Sequence, residues 1–174
     1  EVPHKFQLLG MDIVVWNDAP IEGGLFGSKK KRSRSAKRVG GQWRAFIDAC
    51  PHRKVPLSEG RVEDDGSLLC SYHAWRFDGQ GVLVNIPQLE KEDDLERIKA
   101  DPKSNCNAFP TKMVDGLLWV WPDAGDDARL ESALKEPPTC NTPQGVDQDR
   151  LWIGPWNFRE LPYGADYFIE NVVD

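Results

Sequence analysis

Four side chains in this sequence have the types and spacing to hold metal. Cys50-Pro51-His52 is followed, 17 residues later, by Cys70-Ser71-Tyr72-His73. Each half offers one thiolate and one imidazole. A zinc site usually draws its two Cys from one segment and its two His from another. Mixed halves suit a two-iron, two-sulfide cluster with both Cys on one iron and both His on the other. Neutral imidazoles in place of two thiolates make such a cluster less negative and raise its reduction potential above that of an all-Cys cluster. The chemistry expected is one-electron transfer. A Cys2His2 zinc site and unliganded core residues are the alternatives.

Such ligands need loops, where backbone N–H groups can point at sulfur, and the flanking sequence supplies them. Leu68-Leu69-Cys70 reads as a short strand entering the second loop, and Trp75 and Phe77 alternate as a strand leaving it. Asp78-Gly79-Gln80-Gly81 is a turn, and Val82–Ile86 completes a hairpin. Upstream, Leu8–Trp16 and Trp43–Ile47 read as strands of a hairpin whose connection carries a solvated loop; such lengthening costs little closure entropy. Leu89–Ala100 is a loop or a marginal helix. Phe109–Val114 and Leu117–Trp121 are two further strands, turned at Asp115-Gly116. Many short strands with Gly turns predict a small, mainly β sandwich or barrel.

Pro122 and Asp123 close that unit. Asp126–Lys135 is a short helical pattern stopped by Pro137-Pro138. Leu151–Phe158 reads as the first strand of something new, and the last residues as a helix cut short. The expected organisation is therefore a domain over 1–125, a linker over 126–150, and the beginning of a second domain over 151–174. The chain opens on Glu1, not Met, and is read as a fragment cut at both ends; a targeting peptide or membrane anchor could lie outside it.

Over 174 residues the net charge is −6, unevenly spread. Lys29, Lys30, Lys31, Arg32, Arg34, Lys37 and Arg38 crowd together; taking these seven positive charges from −6 leaves −13 on the rest. An acidic body argues against nucleic acid as a partner. The basic run reads as a solvated loop, with docking of an acidic electron donor as its functional alternative. No apolar run approaches the roughly 18 residues of a membrane-spanning helix. Cys106 and Cys140 read as free or buried thiols, and His4 as a surface residue. Glu63, Asp64 and Asp65 form a turn with no special role.

The mixed ligand set is the Rieske arrangement. Rieske proteins of the bc type carry an extra Cys in each loop, where this chain has Val55 and Tyr72, so that disulfide is impossible here. They also carry Ser and Tyr hydroxyls, where this chain has Trp75 and Phe77. Without such hydroxyls to stabilise the reduced cluster, the potential is expected at the low end, on the order of −150 mV.

Longer stretches resemble the plant and algal Rieske oxygenases of the pheophorbide a oxygenase type. They are Cys50-Pro51-His52-Arg53, Pro56-Leu57-Ser58-Glu59-Gly60-Arg61, Cys70-Ser71-Tyr72-His73, Phe77-Asp78-Gly79, Ile86-Pro87-Gln88, Gly116–Pro122, Arg159–Gly164 and Glu170–Asp174. The resemblance implies a Rieske 2Fe-2S β-sandwich over 1–125 and the start of an α+β helix-grip catalytic domain over 151–174. It implies a mononuclear non-haem Fe(II) whose two His ligands lie beyond this chain. It implies that Asp174 is the carboxylate bridging to a neighbouring subunit in a homotrimer. It also implies ferredoxin or a reductase as electron donor, a chlorophyll-derived tetrapyrrole as substrate, and a chloroplast location. Ala74 departs from the family's usual Gly, and a methyl group there is expected to crowd the cluster loop. A non-enzymatic, translocon-associated redox protein and an oxygenase of another apolar substrate such as a sterol are the alternatives.

Overall fold

The first strand pair is tighter than the sequence indicates. In the computed structural model, β1 (His4–Leu8) and β2 (Met11–Asn17) are antiparallel, with Leu8 opposite Met11. Leu9 and Gly10 alone reverse the chain, at φ 49° and 79°. A two-residue turn with both φ positive matches the twist of its strands and normally advertises itself as Asn-Gly or Asp-Gly. Leucine there hides the turn, so Leu8–Trp16 reads as one strand when it is parts of two. The structure describes residues 2–19, 40–114 and 116–138.

The remaining strands are β3 (Trp43–Ile47), β4 (Arg61–Val62), β5 (Leu68–Leu69), β6 (Arg76–Phe77), β7 (Leu83–Asn85), β8 (Ala108–Phe109), β9 (Thr111–Val114) and β10 (Leu117–Val120). Helices α1 (Glu92–Lys99) and α2 (Asp126–Leu134) complete the described elements with two short 3-10 turns. One sheet runs β1-β2-β3-β8, a second is the meander β4-β5-β6-β7, and β9-β10 is a separate ladder. The stretch read as one strand over Phe109–Val114 is broken at Pro110, which has no N–H for a ladder. Phe109 pairs with Ala45, whereas Thr111 pairs with Val120.

Strand β2 explains the run Ile13-Val14-Val15-Trp16. All four are buried. Val14 and Trp16 face a core shared with Phe46, Leu68 and Phe77, while Ile13 and Val15 face a second one with Ala45 and Phe109. A strand covered on both faces loses its polar alternation and becomes continuously apolar. Trp16 meets Phe46 edge-on, with centroids 4.5 Å apart, and donates its indole N–H to Gly66 C=O at 3.2 Å. The first sheet is thereby joined to the β4–β5 turn.

The long β2–β3 connection leaves through a closed neck. Asp18 N–H donates to Gln42 C=O at 3.0 Å. In return its carboxylate accepts Gln42 N–H at 2.6 Å and Arg44 Nε–H at 2.5 Å. The basic run lies outside the described residues. Replacing residues 20–39 by a short Gly/Ser connector should change unfolding free energy by no more than about 1–2 kcal/mol, because each halving of loop length changes closure entropy by only about 0.6 kcal/mol. Denaturant titration reads this directly; a loss of several kcal/mol would make the segment part of the core.

Helix α1 is the stretch whose sequence left loop and helix open. Its first turn carries Glu92, Asp93 and Asp94, and its last turn Arg97 and Lys99, complementing the helix dipole. Leu95 and Ile98 pack it against the core that contains Cys50 and Cys70.

Candidate metal centre

Strand β3 delivers the first loop. Buried Asp48, just past its end, accepts the N–H and the hydroxyl of Ser58, both at 2.7 Å. Ser58 lies in the 3-10 turn Leu57–Glu59, so the loop between is fastened at both ends. Within it Cys50 N–H donates to Val55 C=O and Lys54 N–H to Cys50 C=O, both at 2.8 Å. The second loop joins β5 to β6 and repeats the pattern. Cys70 N–H donates to Trp75 C=O at 2.9 Å, and Ala74 N–H to Cys70 C=O at 3.2 Å. The residue four after each Cys is left-handed: Lys54 at φ 58° and Ala74 at φ 57°. The price of Ala in place of Gly thus falls on the backbone, at about 1–2 kcal/mol for a left-handed non-glycine residue.

The two loops bring their donors together in like pairs. Cys50 and Cys70 are each 2% exposed, and their sulfurs hydrogen-bond to one another. The backbone N–H of His52 points at the Cys50 sulfur, and those of Tyr72 and His73 at the Cys70 sulfur. The hydrogen bond to Cys70, together with burial, pushes the Cys50 thiol far up. The same bond from Cys50 draws Cys70 down to about 6, against the opposing effect of burial.

His52 and His73 form the other pair, with ring centroids 4.8 Å apart. Burial and the neighbouring His73 and Arg53 hold His52 below its ordinary value, which favours the neutral ring. A neutral imidazole is the form that binds metal. Tyr72 leans on His73, with centroids 3.9 Å apart. Trp75, from the second loop, lies parallel to His52 of the first, at 4.8 Å and 6°.

This donor set fits a two-iron cluster. Among the described residues, no three His, Cys, Asp or Glu side chains gather as a single ion would require. A tetrahedral zinc would draw four donors to one point. Two thiols side by side and two imidazoles side by side suit one iron each.

Gly60 lets the two loops approach. A Cβ there would stand 2.1 Å from the carbonyl oxygen of Leu69, the residue before Cys70. That oxygen is fixed in β5 and cannot yield cheaply. Gly60→Ala should cost about 1–3 kcal/mol, the usual cost of overpacking, and speed the loss of bound iron. Denaturant unfolding and chelator challenge measure the two effects; wild-type values in both would show that the close approach is unimportant.

Of the other residues weighed, Cys106 is a buried free thiol in the same core. Burial, then the nearby Cys70, push its thiol up. His4 is exposed on β1. Asp174 and Cys140 lie outside the described residues. Asp48 carries no mark in the sequence, and Asp65 reads there only as a turn residue with no special role. The latter binds Arg76 Nη2 at 2.6 Å and Ser67 Oγ at 2.7 Å, which holds the strand leaving the second loop. Both act through contacts distant in sequence or through a turn of ordinary composition. A cleft of about 340 Å³ between β9, β10 and α2 is lined by Trp119, Trp121, Pro137 and Pro138 and includes none of the four Cys/His donors.

Comparison with known proteins decides the family. Residues 1–110 match the Rieske [2Fe-2S] domain family. The chain belongs to that family. The chain is 37% identical, over 173 residues, to pheophorbide a oxygenase, chloroplastic, of Oryza sativa subsp. japonica, covering 99% of this chain and 28% of that protein. It is 34% identical, over 185 residues, to 4beta-methylsterol monooxygenase of Methylococcus capsulatus, covering 100% of this chain and 46% of that protein. A crystal structure of dicamba monooxygenase bound to 3,6-dichlorosalicylic acid superposes with a TM-score of 0.55 at 28% identity, over 79% of this chain and 32% of that one. The chain thus spans less than half the length of each of these proteins. The mainly β architecture read from the sequence is that of a Rieske domain.

Proposed function

We propose that Cys50 and Cys70 hold one iron of a 2Fe-2S cluster, that His52 and His73 hold the other, and that the domain relays single electrons within an oxygenase. The observation that carries the reading is the pairing itself: two loops of one backbone shape set the sulfurs together and the imidazoles together. When bound, the cluster supplies reversible one-electron storage. The chain's own part is to supply the thiolates and neutral imidazoles, to direct N–H groups at the sulfurs, and to bury the Cys side.

The parent enzyme is proposed as a plastid oxygenase of a chlorophyll-derived tetrapyrrole, fed by ferredoxin or a reductase. The likeness to pheophorbide a oxygenase supports this. Its organisation would be a Rieske domain over 1–125, a linker over 126–150 and the start of a helix-grip catalytic domain over 151–174. Its mononuclear Fe(II) would be ligated beyond this chain. Asp174 would bridge to a neighbouring subunit of a homotrimer. The similarity to a methylsterol monooxygenase favours a second substrate class, a sterol or other apolar molecule. Single turnover of the full-length enzyme with pheophorbide or with a methylsterol separates the two.

The test of the cluster is an EPR spectrum of dithionite-reduced protein, with iron, sulfide and zinc quantified on the same sample. A rhombic signal with average g near ~1.9 and about two irons per chain are expected. An EPR-silent protein holding one zinc would overturn the reading.

A further inference from the structure

The geometry points to Trp75 as the positioning residue of His52: its indole sets the plane of the imidazole and so the direction in which that ring meets iron. The inference rests on the cluster reading above.

A metal-bound His is normally oriented by a hydrogen bond from its second ring nitrogen to a carboxylate, a carbonyl or water. Among the described residues no side chain or carbonyl makes that bond to the His52 ring. His52 is exposed and sits on a loop, and its other ring neighbour, His73, is tilted to it by 60° and offers no parallel face. What it does have is Trp75, parallel within 6° at a centroid distance of 4.8 Å. Offset stacking at this range is worth roughly 0.5–1.5 kcal/mol beyond area burial, enough to choose one ring plane over its neighbours.

Trp75 is itself well anchored. Its carbonyl accepts the Cys70 N–H at 2.9 Å, which fixes its Cα within the second loop. The indole lies 6.4 Å from buried Phe77 and belongs to the partly buried rim of the main core with Leu89, Leu95 and Ile98. The next residue, Arg76, is held by Asp65 and by Ser67, whose hydroxyl meets Arg76 Nη2 at 2.8 Å. The indole is thus a plate fixed by the second loop and leaned upon by a donor from the first. Trp75 joins the two loops on the side of the exposed His52 imidazole.

The test compares Trp75→Phe with Trp75→Leu in the full chain. Both keep the site apolar, and only Phe keeps a stacking face. The readouts are the EPR g values of the reduced protein, the nitrogen hyperfine couplings of its His ligands, the reduction potential, and the rate of iron loss to a chelator. The Phe variant should keep the wild-type spectrum. The Leu variant should show altered g values and couplings of one His, a shifted potential, and iron loss accelerated about tenfold, as for other outer-shell changes at metal sites. A Leu variant with wild-type values in all four readouts would overturn the inference. If the Leu variant folds by circular dichroism yet takes up no iron, full loading of the Phe variant supports the stacking role and equal failure of the Phe variant rejects it. A wild-type protein without the rhombic signal would instead remove the cluster reading and this inference with it; a wild-type protein with it and an unaltered Leu variant removes only the role of Trp75.

Discussion

Cys70→Ser should empty the centre. Iron retained after desalting is expected to fall from about two per chain by at least tenfold, a loss that even outer-shell substitutions around metals can reach. The reduced protein should lose its rhombic signal, and because metal binding free energy adds to folding free energy, the midpoint of unfolding should drop as well. Cys106→Ser is the matched control. That thiol is buried in the same core, but it belongs to neither of the two loops that set the Cys and His donors in pairs. The control should keep its iron. If Cys70→Ser holds two irons with an unchanged spectrum, Cys70 is not a ligand; if Cys106→Ser empties the site, the ligand set is wrong.

The second large effect is in the reduction potential. Rieske centres range from about −150 to +300 mV, and this one is expected at the lower limit. The donors to the Cys50 and Cys70 sulfurs from the surrounding chain are backbone N–H groups, of His52, Tyr72 and His73. Where other Rieske proteins place hydroxyls, this chain has an indole stacked on His52 and a fully buried phenyl at Phe77. Fewer hydrogen bonds leave the extra negative charge of the reduced state less stabilised. Redox titration followed by EPR should find a midpoint near the low limit; a value near +300 mV would show that other donors reach the cluster. A low value suits delivery of electrons to an oxygen-activating iron.

The four candidate ligands were legible because their chemistry is local: two short motifs with fixed spacing. The strands Trp43–Ile47 and Leu68–Leu69 were legible for the same reason, as apolar runs bounded by turn residues. What was hidden depends on backbone angles that side chains do not announce. Leu9 turns a hairpin at a positive φ that leucine rarely takes, and β1 disappears into the reading as a result. Pro110 breaks a strand without ending the apolar pattern around it. Asp48 and Gly60 act across distances in the chain, on Ser58 and on Leu69, and composition alone carries no sign of either contact. The parallel stack of Trp75 on His52 joins residues of different loops and is visible only in three dimensions.

The matched turns after Cys50 and Cys70 bear on speed as well as on affinity. An electron carrier is slowed by every atom that must move when its charge changes. Here the dipoles that face the sulfurs belong to two closed turns, each tied by a pair of main-chain bonds and held in a left-handed conformation at Lys54 and Ala74. Dipoles already aimed need not rotate as the charge arrives. With the cluster held as proposed, turns closed in this way would keep the reorganisation energy of the transfer small.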